Sequence, residues 1–181
     1  MTEPNRVKDL EFAVEKLTEI KKPEGVGKDE ILKLRAPTRP DEIDWRIQSS
    51  GEGKNGVWAK IIPYIDARAV LDRLDRCVGP LNWTDEYREI EGGYICRLGI
   101  FTKNGWIYKE DAADKSDIEA IKGGISGALK RAAVKWGIGR DLYYRGVEWA
   151  DISMEEKQGF HYAETKNKVK FYWREKLPLS S

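Results

Sequence analysis

Asn82-Trp83-Thr84-Asp85-Glu86-Tyr87-Arg88-Glu89-Ile90, Tyr94-Ile95-Cys96-Arg97-Leu98-Gly99-Ile100-Phe101-Thr102 and Trp106-Ile107-Tyr108-Lys109-Glu110 are three runs with the β-branched and aromatic content of strands. Glu91-Gly92-Gly93 and Lys103-Asn104-Gly105 separate them, and Asn-Gly is a strong hairpin signal because both residues accept positive φ. The spacing predicts an antiparallel meander. After a polar loop over residues 111–115, Ser116 is a good N-cap and Glu119 completes a capping box. A long helix is expected over residues 117–136, with Gly137 at its left-handed C-cap. The fold class that follows is α+β, an antiparallel meander packed on a long helix.

Upstream, residues 57–63 read as a strand. Asp66 then caps a helix through Val78, whose Ala67, Val70, Leu71, Leu74 and Cys77 keep helical spacing until Gly79-Pro80. Residues 41–48 are expected as a short helix capped by Asp41, and residues 49–56 as a flexible loop. Residues 21–41, with Pro23, Gly25, Gly27, Pro37 and Pro40, read as a linker or arm. Val7, Leu10, Val14, Leu17 and Ile20 predict an amphipathic helix over residues 6–20. Downstream, residues 160–164 and 168–173 predict a hairpin turning at Lys166-Asn167. The expected division is 1–40 as N-terminal helix and linker, 41–150 as core, and 151–181 as a basic, aromatic extension.

With 181 residues, 40% of them hydrophobic and 35% charged, the chain is long enough for one domain with a real core and is not generally disordered. No stretch approaches eighteen apolar residues and the first ten are polar and charged, so neither a membrane span nor a secretory signal is expected. Cys77 and Cys96 offer neither metal-ligand spacing nor a disulfide framework, which fits a cytoplasmic setting, and the single histidine, His161, argues against a His-centred triad or metal site. Net charge is +1, but residues 117–146 carry six basic against three acidic side chains, and residues 161–176 five against two. The basic character lies in the C-terminal half.

The unusual segment is Lys122-Gly123-Gly124-Ile125-Ser126-Gly127-Ala128-Leu129-Lys130-Arg131. Three glycines inside a helix cost roughly 1 kcal/mol each relative to alanine. Close packing on the sheet, or approach of a polymer or a second subunit to the backbone, would compensate. Lys122, Ser126 and Lys130 share one face, either a track for a phosphate chain or an ordinary solvated surface, and Arg131 lies one step round. The segment lacks the Walker A order of residues. Arg68, Asp72, Arg73 and Arg76 read mainly as surface pairs on the preceding helix, with Arg68 the exception. Trp136, Tyr143, Tyr144, Phe171, Tyr172 and Trp173 interleave with Arg140, Arg145 and Arg174, a pattern suited to single-stranded nucleic acid. Trp136 and Tyr143 are nevertheless expected in the core more than at a ligand, and the tail aromatics fit a protein interface equally well. Glu110, Asp111, Asp114, Asp117 and Glu119 are the alternative, a carboxylate cluster of the kind that holds Mg²⁺ in nucleases.

The order of these segments resembles the Rad52 family of single-strand annealing proteins, particularly its short phage and bacterial members. The resemblance rests on Asp44-Trp45-Arg46, Tyr64-Ile65-Asp66-Ala67-Arg68-Ala69-Val70, Val78-Gly79-Pro80-Leu81-Asn82-Trp83, Cys96-Arg97-Leu98 and, most specifically, Ser126-Gly127-Ala128-Leu129-Lys130-Arg131-Ala132 followed by Trp136-Gly137. It implies a β-β-β-α core, a homo-oligomeric ring and a basic groove for single-stranded DNA. Lys130, Arg131 and Arg68 match the family's inner groove and Lys122 a second contact region, while Val134 stands where eukaryotic members carry a further Arg. Lys60, Lys135 and Arg140 complete the candidate DNA-binding set.

The implied activity is annealing of complementary strands in homologous recombination and double-strand break repair, independent of ATP. No catalytic residue, cofactor or metal is expected, and the chain is read as not an enzyme. The expected partners are single-stranded DNA, further copies of the chain, and an exonuclease or single-strand binding protein, with no membrane, in the cytoplasm of a bacterium or phage-infected host. The alternatives are a non-annealing single-stranded nucleic-acid binding module, a metal-dependent nuclease using Asp111 and Asp114, and a structural oligomer whose basic helix is an interface.

Overall fold

The computed structural model describes residues 23–115 and 120–176. The helix expected over 6–20 and the cap formed by Ser116 and Glu119 lie outside the described residues, as does Asp117. The order of elements is α1 (Lys28–Lys33), a 3-10 turn (Pro40–Glu42), β1 (Asp44–Gly53), β2 (Gly56–Tyr64), α2 (Ala67–Val78), β3 (Trp83–Ile90), β4 (Gly93–Thr102), β5 (Gly105–Asp114), α3 (Ala120–Trp136), α4 (Leu142–Arg145), β6 (Glu148–Trp149), β7 (Asp151–Ser153), β8 (His161–Glu164) and β9 (Lys170–Arg174).

The expected meander is present as an antiparallel sheet in the order β3-β4-β5. Because side chains alternate across a strand, β4 turns Tyr94, Cys96, Leu98 and Ile100 to one face, where all are buried. Helix α3 covers that face with Ala128, Leu129, Ala132 and Trp136, and the Trp136 indole N–H donates to the Leu98 carbonyl at 3.2 Å. Two of the helix glycines permit this contact. A Cβ on Gly124 would stand 2.6 Å from the Tyr94 ring, and one on Gly127 2.9 Å from the Ala113 methyl. Helix α2 adds Val70, Leu74 and Val78 to the same core. The Asp66 carboxylate caps it by accepting the Ala69 N–H at 2.8 Å, and Gly79 ends it at φ +84°.

Several expectations are corrected. Residues 21–41 are not a plain linker: Val26 pairs with Thr102, α1 forms, and Val26 and Leu34 enter the core. Residues 41–48 are not a helix, and residues 49–56 are a loop only at their end, since β1 runs to Gly53 and pairs with β2. An extra residue at Gln48 breaks the alternation, and a polar outer face hides the strand period. Asp111 and Asp114 lie on β5, not in a loop. Arg73 is not a surface residue. It is 3% exposed, donates to the carbonyls of Ala36 and Pro37 and pairs with Glu42, pinning the segment between α1 and β1.

Sheet β1-β2-β6 and sheet β7-β9-β8 share a second, smaller core. Ala59 and Ile61 of β2 meet Phe171 and Trp173 of β9, with Trp45 and Ile47 packed alongside. The expected tail hairpin is therefore present, pairing His161 with Trp173 and Glu164 with Lys170. Its aromatics divide: Phe171 and Trp173 are core residues, whereas Tyr172 stays half-buried on the other face.

Candidate nucleic-acid interface

An open groove of about 640 Å³ lies between α3, the end of β2 and the segment around α4. Arg46 of β1, Lys130 and Arg131 of α3, and Tyr64 and Tyr143 line it together with Ile62, Val134 and Val147. Side-chain alternation explains the floor. Ala59 and Ile61 face the second core, so Ile62 and Tyr64 face the groove, and Arg46, opposite Ile62, does too. The Lys130 ammonium sits 5.2 Å from the centre of the Tyr64 ring. Burial and the neighbouring Arg46 charge hold its pKa below the usual lysine value, against an opposing pull from Asp66 and Asp44. A cation in that position is poorly compensated by the protein and well placed for a phosphate.

Arg131 is held differently. Its Nε and Nη2 both donate to Asp111 Oδ1 at 3.2 Å, and Lys135 lies 3.7 Å from Asp111 Oδ2. Burial pushes the Asp111 carboxyl up, but the Ala112 N–H, Arg131 and Lys135 outweigh it and hold the group below the ordinary carboxylate value. Asp114, three residues further along the strand, points to the opposite face, so the two carboxylates do not converge. Among the described residues no group of three or more His, Cys, Asp or Glu gathers in a way that could hold a metal ion.

The other candidates are dispersed. Arg140 donates to the carbonyls of Val134 at 2.9 and 2.6 Å and of Lys135 at 2.9 Å, so it caps the C-terminus of α3. Lys60 lies on β2, 5.1 Å over the Trp149 ring. The Arg68 side chain is 90% exposed at the start of α2, near Asp66, and does not line the groove; Lys122 is exposed on the first turns of α3. Trp136 is buried as expected, but Tyr143 is not in the core: it is 66% exposed, at the groove wall.

The residue that sequence reasoning missed is Arg46. The alternation of Asp44, Trp45, Arg46 and Ile47 was its available signal, since two apolar residues facing in turn the arginine out.

Residues 29–161 match the family model described as "Rad52/22 family double-strand break repair protein". Two curated relatives are the single-stranded DNA-binding protein DdrA of Deinococcus radiodurans, 34% identical over 122 residues, and that of Deinococcus deserti, 34% identical over 129 residues. The alignments cover 66% and 68% of this chain, and 57% and 62% of the relatives. The chain thus spans about three fifths of the relatives' length. No solved structure matches the chain.

Proposed function

The chain belongs to the Rad52/22 family of double-strand break repair proteins, and from that premise we propose that it binds single-stranded DNA along the groove and anneals complementary strands without nucleotide hydrolysis. The convergence of Lys130, Arg131 and Arg46 with Tyr64 and Tyr143 on one open groove carries the reading. Cations at the backbone and aromatic rings beside them suit a strand whose bases remain available for pairing, so complementarity is tested by the DNA and not by the protein. The relatives' name, single-stranded DNA-binding protein, points the same way. Lys130 and Arg131 are the central contacts, with Arg46 added to them. Arg68, Lys122, Lys60 and Lys135 are proposed as outlying contacts, and Arg140 as a support that holds the end of α3 beside the groove.

The active form in this proposal is a homo-oligomeric ring in which the grooves of successive copies join. A nearly neutral chain then presents one continuous basic track. The face of β3-β4-β5 turned away from α3 supports self-association. There Phe101, Trp106 and Tyr108 form a contiguous aromatic row, Phe101 tilted on Trp106 at 5.3 Å and Trp106 stacked on Tyr108 at 5.9 Å between centroids, and Trp106 is 42% exposed.

The test is annealing of complementary oligonucleotides without nucleotide or metal, on protein whose mass is measured by light scattering. Acceleration by a large oligomer, lost in Lys130→Ala with Arg131→Ala while the mass is kept, is the expected result. Tight, salt-sensitive binding without acceleration would assign a coating module instead. Mg²⁺-dependent cleavage lost on Asp111→Asn would overturn the non-enzymatic reading.

A further inference from the structure

The face that floors the groove does not end at Ile62. Strand β2 turns Tyr64, Ile62, Lys60 and Trp58 the same way, and at about 3.3 Å per residue this face runs roughly 20 Å from Tyr64 to Trp58. Tyr64 and Ile62 line the groove. Beyond them, β6 sets Trp149 in register with Lys60, as a neighbour of Val147 on the groove wall. The Lys60 ammonium lies 5.1 Å from the centre of the Trp149 ring, and the Trp58 ring meets Trp149 nearly edge-on at 5.9 Å and 74°. Trp149 remains 54% exposed.

Nothing in the second core requires this arrangement, because Ala59 and Ile61 face that core from the opposite side of the strand. Across from Lys60 and Trp58, β1 supplies only Ser49 and Gly51. A Cβ on Gly51 would stand 2.9 Å from the Trp58 ring, so the glycine lets that indole lie close over β1 and brace Trp149. The result is an exposed, braced indole with a cation beside it, continuous with a groove lined by three further cations.

We propose that Trp149, braced by Trp58, is a stacking platform for a base of the same strand whose backbone is held at Lys130, Arg131 and Arg46, with Lys60 taking the adjoining phosphate. The inference rests on the single-stranded DNA reading of the groove. Stacking on an indole is tolerant of base identity, since every base has a π-face, and Lys60 exchanges its ring contact for a phosphate by moving a flexible four-carbon stem.

The probes are oligothymidylate and an abasic oligomer of equal length, which keeps the phosphates and lacks the bases. Trp149→Ala is expected to bind oligothymidylate roughly tenfold more weakly, within the range that base stacking supplies, and the abasic oligomer as the parent does. Trp149→Phe should recover most of the loss, whereas Lys130→Ala with Arg131→Ala should weaken both ligands. Unchanged oligothymidylate binding by Trp149→Ala, or equal loss on both ligands, overturns the platform and leaves the groove standing. Failure of the parent protein to bind either ligand overturns both. A drop in oligomer mass on Trp149→Ala overturns the platform by assigning the indole to a contact between copies.

Discussion

Lys130 carries its charge at a cost set by burial and by the neighbouring Arg46, offset in part by Asp66 and Asp44. Burial and Arg46 favour its neutral form, so near the ordinary lysine value of about 10.4 the folded chain binds fewer protons than the unfolded one. Stability therefore rises with pH through that region, and the charged form costs stability at neutral pH. Lys130→Met is expected to raise the melting temperature while weakening single-stranded DNA binding, checked by thermal melts beside binding titrations; a fall in both would make Lys130 structural. DNA affinity should also decline as pH rises toward that value, and Lys130→Arg should remove this part of the decline. Asp111 acts in the opposite sense, because it occupies Arg131 and Lys135. Asp111→Asn should tighten binding and steepen the dependence of log affinity on log salt by roughly 0.7 for each added phosphate contact. Lys130 and Arg131 were legible in the sequence as adjacent cations on a helix. Arg46 was not, because its meeting with Lys130 depends on how β1 pairs with β2.

Helix α3 shows at the level of an element why its glycines stand where they do. Alanine at Gly124 would add roughly 1 kcal/mol of helix propensity, yet its methyl would drive into the Tyr94 ring at 2.6 Å. Overpacking costs about 1–3 kcal/mol, so Gly124→Ala should lower stability by about 1 kcal/mol in urea denaturation. Of the two roles the sequence left open for these glycines, close packing is the one with atoms against it at Gly124 and Gly127. Helix α2 was legible to its cap, but Arg73 was read as a surface charge. Four-residue spacing reports a helix's own neighbours and says nothing of a chain segment laid over it. Arg73→Met would leave the carbonyls of Ala36 and Pro37 without their donor and Glu42 with Arg39 and Arg76 alone, an expected loss of about 1–3 kcal/mol in urea denaturation. Glu42 itself is pushed up by burial but held below its ordinary pKa by the Arg39 N–H, Arg73 and Arg76. Its contribution is present above the unfolded pKa and fades as pH falls through the folded one.

Across the whole molecule, the β1-β2 hairpin stands between the second core and the groove. One face of that hairpin is covered by β7 and β9, and the other floors the groove. The tail therefore acts on the groove from behind. Phe171→Ala removes the largest fully buried side chain of the second core, and a loss of about 3–5 kcal/mol is expected, together with weaker DNA binding even though residue 171 is remote from Lys130. Comparing melts with binding below the variant's melting temperature checks this. Retained affinity in a destabilised variant would show that the hairpin holds its shape without the tail.

By itself the sequence determined the meander, the capped helix α2, the long helix, the tail hairpin and the Lys130-Arg131 pair, since each is written in residues close enough to read as a period, a cap or a turn. Only the tertiary structure decided that Val26 and Leu34 enter the core, that β1 is a strand, that Arg140 caps a helix end, and that Arg46, Tyr64 and Tyr143 join Lys130 in one groove. Those facts come from pairings between distant segments. Local periodicity records which face of an element is apolar, but which other element covers that face is set by packing.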